Sequence, residues 1–560
     1  MTNTSSIIHI DAILYTILEA CDNTTLARLA RTAHFISKPA LNVLWRELER
    51  ISDLLGTFPS ELITWQSTQP NSCPTVTRLI VPRDWTRFVE YARCVRSWGP
   101  EDLSYISEPL VDHIAFGRLP GYILPNLTHM KVTGSSVSGI HLSTLLLCSS
   151  LESVSVRNVS PDPQTTRSMF TFFRTLADRS LDLKEFSVEW GVGPITNPLF
   201  KDGIADVLMQ KPSSLTSVKL WTPNCIDIKG FTCLSQLPHL QTLHLNLIDV
   251  ENTHHLIPGM KENTGAFASL RNLHLAGEPE AFHKILECFN YTPKMTYLGF
   301  CVREYPRSLD LLQLFATVSS KFPSLQTLQF INSKEEMPTP RRDQYLHNEL
   351  YHHDFHIIAP LLQISSLEAV HLELGFPLRL TDIELESLGT SWPRIRILNL
   401  CPNPYTTPFG NSQPSATIFG LIRLARACPN LQHLGIFADC IMGVPDNLIV
   451  AEDVASRVLS RIDVGRSRVV EPARIAALLS GAFPGLKVFQ WTGMEATSGM
   501  SVGVGAGTEV GGGTGIGIGI ESGIGGVDMW EFAPGWKQVY DLLPIFRAVR
   551  ANERKIIEGY

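Results

Sequence analysis

From about residue 120 onward one spacing of apolar positions recurs: an apolar residue, two variable positions, a second apolar residue, one variable position, a third apolar residue. It reads LTHMKV from Leu127, LESVSV from Leu151, LKEFSV from Leu183, LTSVKL from Leu215, LQTLHL from Leu240 and LRNLHL from Leu270. It continues as MTYLGF from Met295, LQTLQF from Leu325, LEAVHL from Leu367, IRILNL from Ile395, LQHLGI from Leu431 and LKVFQW from Leu486. VTRLIV from Val76 fits the same template. Successive anchors from Leu127 lie 24, 32, 32, 25, 30, 25, 30, 42, 28, 36 and 55 residues apart. The fourth and sixth positions share the period of a strand, whose alternate side chains fall on one face. Turns such as Phe322-Pro323-Ser324 and Trp392-Pro393-Arg394 precede several copies. Stretches such as SMFTFFRTLADRS around Phe172 and ATIFGLIRLARAC around Leu421 lie between copies and carry a helical period. The pattern predicts strand and helix in alternation, each unit burying its apolar residues against the next.

The series resembles the leucine-rich repeat. The resemblance implies an α/β fold: a curved solenoid over 70–498 with a parallel sheet on its concave face. The third, fifth and seventh positions point away from the apolar core. They nominate Lys219, Trp221, His244, Asn246, His274, Tyr297, Gln329 and His371 as the residues that meet a target. Aromatic, cationic and amide side chains together are the composition of a binding hot spot.

Residues 1–55 carry a different pattern. Ile10, Ile13, Leu14, Ile17 and Leu18 follow the i, i+3, i+4 spacing of one helix face. Asp22-Asn23-Thr24-Thr25 ends that helix and offers a cap to a second, with Leu26, Leu29, Ala30 and Ala33. A third helix opens at Ser37-Lys38-Pro39, with Pro39 in its first turn and Leu41, Leu44, Trp45 and Leu48 as its stripe. So small a unit encloses little apolar surface, so part of its stripe is expected to meet a partner. IDAILYTIL, TLARLARTAHFISKPAL and LNVLWREL resemble the F-box of fungal F-box-like proteins. CPTVTRLIVPRDWTRFVEYARCVRSW (73–98) looks like the strand and helix that follow it there. The resemblance implies the substrate-recognition subunit of an SCF-type ubiquitin ligase. Ile10, Ile13, Leu14, Ile17, Leu26, Leu29, Leu41 and Trp45 would dock a Skp-type adaptor and, through it, the cullin ligase core. The solenoid would hold an unidentified target protein, and the chain would do no chemistry. A repeat scaffold unconnected to ubiquitin, its helices a plain cap, is the alternative.

Composition narrows the function further. The 560 residues carry 47 Lys+Arg against 54 Asp+Glu, a net charge of -7, which argues against a nucleic-acid partner. The opening segment lacks the profile of a signal peptide, and no apolar run is long enough to span a membrane, so neither a membrane nor a secretory route is expected. Eleven scattered cysteines with no C-x-x-C pair suit reduced thiols in an intracellular protein, in cytoplasm or nucleus. No G-x-S-x-G, H-E-x-x-H or phosphate-binding glycine motif occurs, so no catalytic residue, cofactor or metal is assigned. His347, His352, His353 and His356 lie in a charged stretch, 331–356, that reads as a solvated loop entering a helix. Residues 499–526 are glycine-rich and read as a flexible insertion, and 527–560 as a C-terminal capping helix.

Overall fold

A computed structural model describes residues 4–65, 74–99, 103–160, 162–180, 182–189, 197–210, 214–247, 266–289, 294–332, 349–404, 416–440, 456–491 and 533–558. Side chains of 4–11, 533 and 553–558 are outside that description. The glycine-rich segment and His347 lie outside the described residues. The chain forms two compact units, one of residues 1–277 with 287–294, the other of 278–286 with 295–560. Both are leucine-rich-repeat α/β solenoids.

In the first unit, helices α1 (Thr4–Glu19), α2 (Asn23–Thr32) and α3 (His34–Leu44) lead into a parallel ladder. Its strands are β1 (Glu47–Leu48), β2 (Ser97–Trp98), β3 (His129–Thr133), β4 (Ser153–Arg157), β5 (Glu185–Glu189), β6 (Ser217–Leu220), β7 (Thr242–Asn246) and β8 (Asn272–Ala276). Each pairs with the next in sequence order. The second unit repeats the arrangement with β9 (Tyr297–Val302), β10 (Thr327–Asn332), β11 (Ala369–Glu373), β12 (Ile397–Leu400), β13 (His433–Ile436), β14 (Arg461–Asp463) and β15 (Val488–Gln490).

The strand alternation is the one the repeats predict. Val218, Leu220, Leu243, Leu245, Leu273 and Leu275 are buried, while their neighbours Lys219, His244 and His274 are only partly so. Helices cover the leucine face. Phe173, on the helix Pro163–Arg179, meets Phe186 of β5 edge-on at 5.8 Å, and Phe315 meets Phe330 of β10 at 6.1 Å. These helices begin where side chains satisfy their free N–H groups: Asp162 accepts from Gln164 and Thr165, Asp227 from Gly230. The C-terminal helix Ala533–Glu558 packs on Pro472–Ala482, burying Trp536, Val539 and Leu543.

All twelve strands anchored from Leu127 to Leu486 are present, and the structure corrects the reading around them. The 55-residue step holds a further copy, Leu459-x-x-Ile462-x-Val464, whose three apolar side chains are buried and which forms β14. VTRLIV from Val76 is not a ladder strand. Only Pro74–Val76 is extended, pairing antiparallel with Ile63–Trp65, and Leu79 and Val81 face solvent. The ladder begins instead at β1 and β2, too short to carry a period. Helix α3 begins at His34, so Pro39 lies inside it rather than in its first turn. Leu48 leaves that helix for β1, where it is buried. The stretch around His353 is no solvated loop. His353–Asp354 pairs with Leu378–Arg379, and His353 is fully buried.

Candidate functional site

Among the described residues, two surfaces of the first unit combine exposed apolar or aromatic groups with organised polar ones. One is the N-terminal helical module. Leu18, Leu26 and Ala40 form its core, with Leu14, Leu29, Ile36 and Leu44 packed against them. Asp22 caps α2, accepting from the Thr25 N–H at 2.6 Å, and hydrogen bonding from the Thr25 side chain and then its backbone holds the carboxyl below the usual range. One turn of α1 separates Ile13 from Ile17, and both turn outward, 60% and 55% exposed. Phe35, in the first turn of α3, is 72% exposed. Of the residues nominated for an adaptor, Ile13 and Ile17 thus present free apolar surface, while Leu14, Leu26 and Leu29 hold the module together. Leu41 is half-buried, and Trp45 stacks on Tyr91 of the helix Trp85–Ala92 at 4.6 Å. The Ile10 side chain is outside the described set.

The second surface is the strand face opposite the helices. Register places Lys131, Ser155, Ser187, Lys219, His244 and His274 in one row across β3 to β8. Trp221 follows Leu220 directly and falls on this face. Its ring meets His244 edge-on at 5.1 Å and His274 at 4.9 Å, and the two imidazoles lie 5.4 Å apart. Asn246 donates its side-chain amide to the Trp221 carbonyl at 2.8 Å, fixing the strand end beneath the ring. Burial, with His274 and Lys219 nearby, lowers His244 to about 3, and burial lowers His274 to about 4, so both are neutral at pH 7. His244 Nδ1 and His274 Nε2 are buried without a hydrogen-bond partner among the described residues. The other nominated residues, Tyr297, Gln329 and His371, lie in the second unit. The Tyr297 hydroxyl donates to Gln329, and His371 stands beside Gln329 and Asn399 in the ladder. Burial and Arg461 lower His371.

A cleft of about 560 Å³ opens where the module meets the ladder, lined by Tyr15, Asn42, Arg46, Arg96, His129 and Lys131 among others. Arg46 pairs with Glu19 at 2.7 Å, and Arg96 donates to the carbonyls of Arg93 and Asn126. The Asn42 side chain donates to Tyr15 Oη at 3.3 Å and accepts from Cys94, whose thiol burial pushes up. None of these residues stood among the nominated ones. His129 and Lys131 occupy the third and fifth positions of LTHMKV, so the rule that found His244 points to them as well.

Among the described residues no group of three or more metal-ligating side chains converges, and no helix is long and apolar enough to cross a membrane. No protein-family profile matches the chain, and no curated protein matches it. Among solved structures it is similar to the leucine-rich repeat-containing protein LegL7 from Legionella pneumophila. The identity is 15% over 51% of this chain and 85% of that one, with a TM-score of 0.29. It is also similar to a chain of the yeast Rad7 and Elc1 complex, at 11% identity over 70% of this chain and 75% of that one, with a TM-score of 0.28. The repeat fold rests on the strand ladders themselves, not on these likenesses.

Proposed function

We propose that this chain is the non-catalytic substrate receptor of an SCF-type ubiquitin ligase, its N-terminal helices docking a Skp-type adaptor and its open strand face holding a target protein. The observation that carries the reading is the module's division of labour. Its core closes around Leu18, Leu26 and Ala40, yet Ile13 and Ile17 remain outside it. Burying an apolar side chain of this size at a partner contributes about 1.5–3 kcal/mol, so a helix that leaves two of them in water gains from a partner. The F-box-like sequence of the same helices supports the identity of that partner. The test is co-purification of full-length chain with a Skp-type adaptor, wild type against the double variant Ile13→Asp/Ile17→Asp. Loss of the adaptor from a folded variant supports the proposal; undiminished capture overturns it.

One observation favours a second reading. β1 joins the solenoid ladder directly and Trp45 stacks on Tyr91, so the helices also serve as an N-terminal cap. A repeat scaffold with such a cap and no ubiquitin role would retain its targets and capture no adaptor in the same experiment.

A further inference from the structure

We propose that the open face of the first unit, from the cleft at Lys131 to the partly exposed ring of Trp221, recognises an acidic, extended segment of a target protein that ends in an aromatic side chain. The inference rests on reading this face as a target receptor and specifies the chemistry it selects.

The floor of the track is small. Ser155 and Ser187 stand between Lys131 and Lys219 in a single cross-strand row, so a chain laid across the strands meets small side chains rather than bulky ones. The Ser155 hydroxyl is buried and has no partner among the described residues. The charges along the track are unbalanced. Arg157 and Glu189, facing each other across β4 and β5, neutralise one another at 3.1 Å. Glu185, at the edge, accepts from the Ser153 hydroxyl, and Glu47 lines the cleft at Lys131; neither has an ion-pair partner among the described residues, against Arg96, Lys131 and Lys219 on the cationic side. Lys131 and Lys219 have no ion-pair partner among the described residues. Two free ammonium groups above a polar floor, in a chain of net charge -7, mark a local site for carboxylates.

Spacing sets the motif. Lys131 and Lys219 are three strand steps apart, about 14 Å at the usual inter-strand distance. An extended segment advances about 3.3 Å per residue, so two acids four positions apart match the two lysines. One to two strands further stand His244 and His274 with the Trp221 ring over both. The part of the Trp221 indole that stays exposed suits an aromatic side chain about three residues beyond the second acid. The recognised pattern is therefore acid-x-x-x-acid-x-x-aromatic.

The test uses the full-length chain and a fluorescein-labelled peptide of pattern D-x-x-x-D-x-x-F, with glycine and serine at x, read by fluorescence anisotropy. A peptide of identical composition with both acids and the aromatic adjacent is the control. The expected result is binding that weakens as salt rises, prefers the spaced peptide, and falls roughly tenfold or more on Lys131→Glu or Lys219→Glu. Lys131→Gln and Lys219→Gln, which remove charge without reversing it, should weaken binding less. Circular dichroism checks that each variant is folded. No binding, equal binding of the two peptides, indifference of folded variants to both lysine changes, or tighter binding of oligothymidylate than of the peptide each overturns the inference. Adaptor capture is measured on the same samples. A chain that binds the peptide but no adaptor refutes the ligase reading alone, and one that captures adaptor but ignores the peptide refutes only this one.

Discussion

The indole of Trp221 meets the imidazole of His274 at 4.9 Å, although β7 runs between the strands that carry them. The ring reaches across a whole repeat, and in doing so covers His244 as well, at 5.1 Å. A tryptophan that looked free in the one-dimensional repeat is thus half-buried against two histidines, and it helps to keep both neutral.

That relationship makes Trp221→Ala informative. Removing the indole readmits water to both imidazoles, so their desolvation falls and their pKa values rise from about 3 and about 4 toward 6.5. Histidine ring-proton titration by NMR should show two resonances moving up in the variant. The loss of the edge-on contacts should cost about 1–3 kcal/mol of stability. Unmoved titrations would mean that the sheet, not Trp221, excludes the water.

The helical module should separate docking from folding. Leu18 and Leu26 are core, so Leu18→Ala or Leu26→Ala should destabilise the module by about 2–5 kcal/mol. Ile13→Asp and Ile17→Asp, on exposed positions, should leave its stability within about 0.5 kcal/mol while abolishing adaptor capture. Denaturation of the full chain, followed by hydrogen exchange in 12–45, distinguishes the two classes.

His353 should make the second unit acid-sensitive. The Ser308 hydroxyl donates its proton to the His352 carbonyl at 2.7 Å, so His353 Nδ1–H donates to Ser308 Oγ at 3.1 Å. Nε2 is then a buried lone pair without a partner among the described residues, facing the Phe376 ring. Burial lowers its pKa from 6.5 to about 3, with His352 as a lesser cause. A depressed histidine contributes stability in full above the unfolded pKa and loses it as pH falls from 6.5 toward 3. At pH 5 the loss from this one group is about 2 kcal/mol. His353→Phe should flatten the pH dependence of the melting temperature between pH 6.5 and 4. An unchanged slope would show that other histidines, such as the half-buried His433 with its pKa of about 4, dominate it.

The C-terminal helix should be needed by the last repeats. Trp536 is buried and donates its indole N–H to the Ser467 carbonyl at 2.7 Å, and Arg550 donates to Ala477 and Ser480. Trp536→Ala should cost about 3–5 kcal/mol and increase hydrogen exchange in Pro472–Ala482 before it does so around Thr327–Asn332. Uniform loss of protection would mean that the unit unfolds only as a whole.

The repeat was legible because its signal is local. Two apolar residues separated by one position must share a face of any strand, so the twelve anchors from Leu127 to Leu486 predicted both the ladder and its outward positions, Lys219, His244 and His274 among them. Leu459-x-x-Ile462-x-Val464 carries the same pattern, no more β-branched than Leu151-x-x-Val154-x-Val156, inside the long step after Leu431. The N-terminal stripe was legible as amphipathic, but which of its residues face inward was not. Ile13, Ile17 and Leu18 are equally apolar, and only the packing of α2 and α3 against one side buries Leu18 and leaves the isoleucines outside. Strands β1 and β2 are too short for any periodicity and exist because the ladder offers their backbones partners. Pro39 looked like a helix start because proline is tolerated there, but α3 extends back to His34 and accepts the break in its own hydrogen bonding. The clustering of Trp221 with two histidines, the lysine row and the cleft at Arg46 depend on cross-strand register and on which helix ends beside which strand. Those are distances between residues far apart in the chain, and only the closed packing of the tertiary structure sets them.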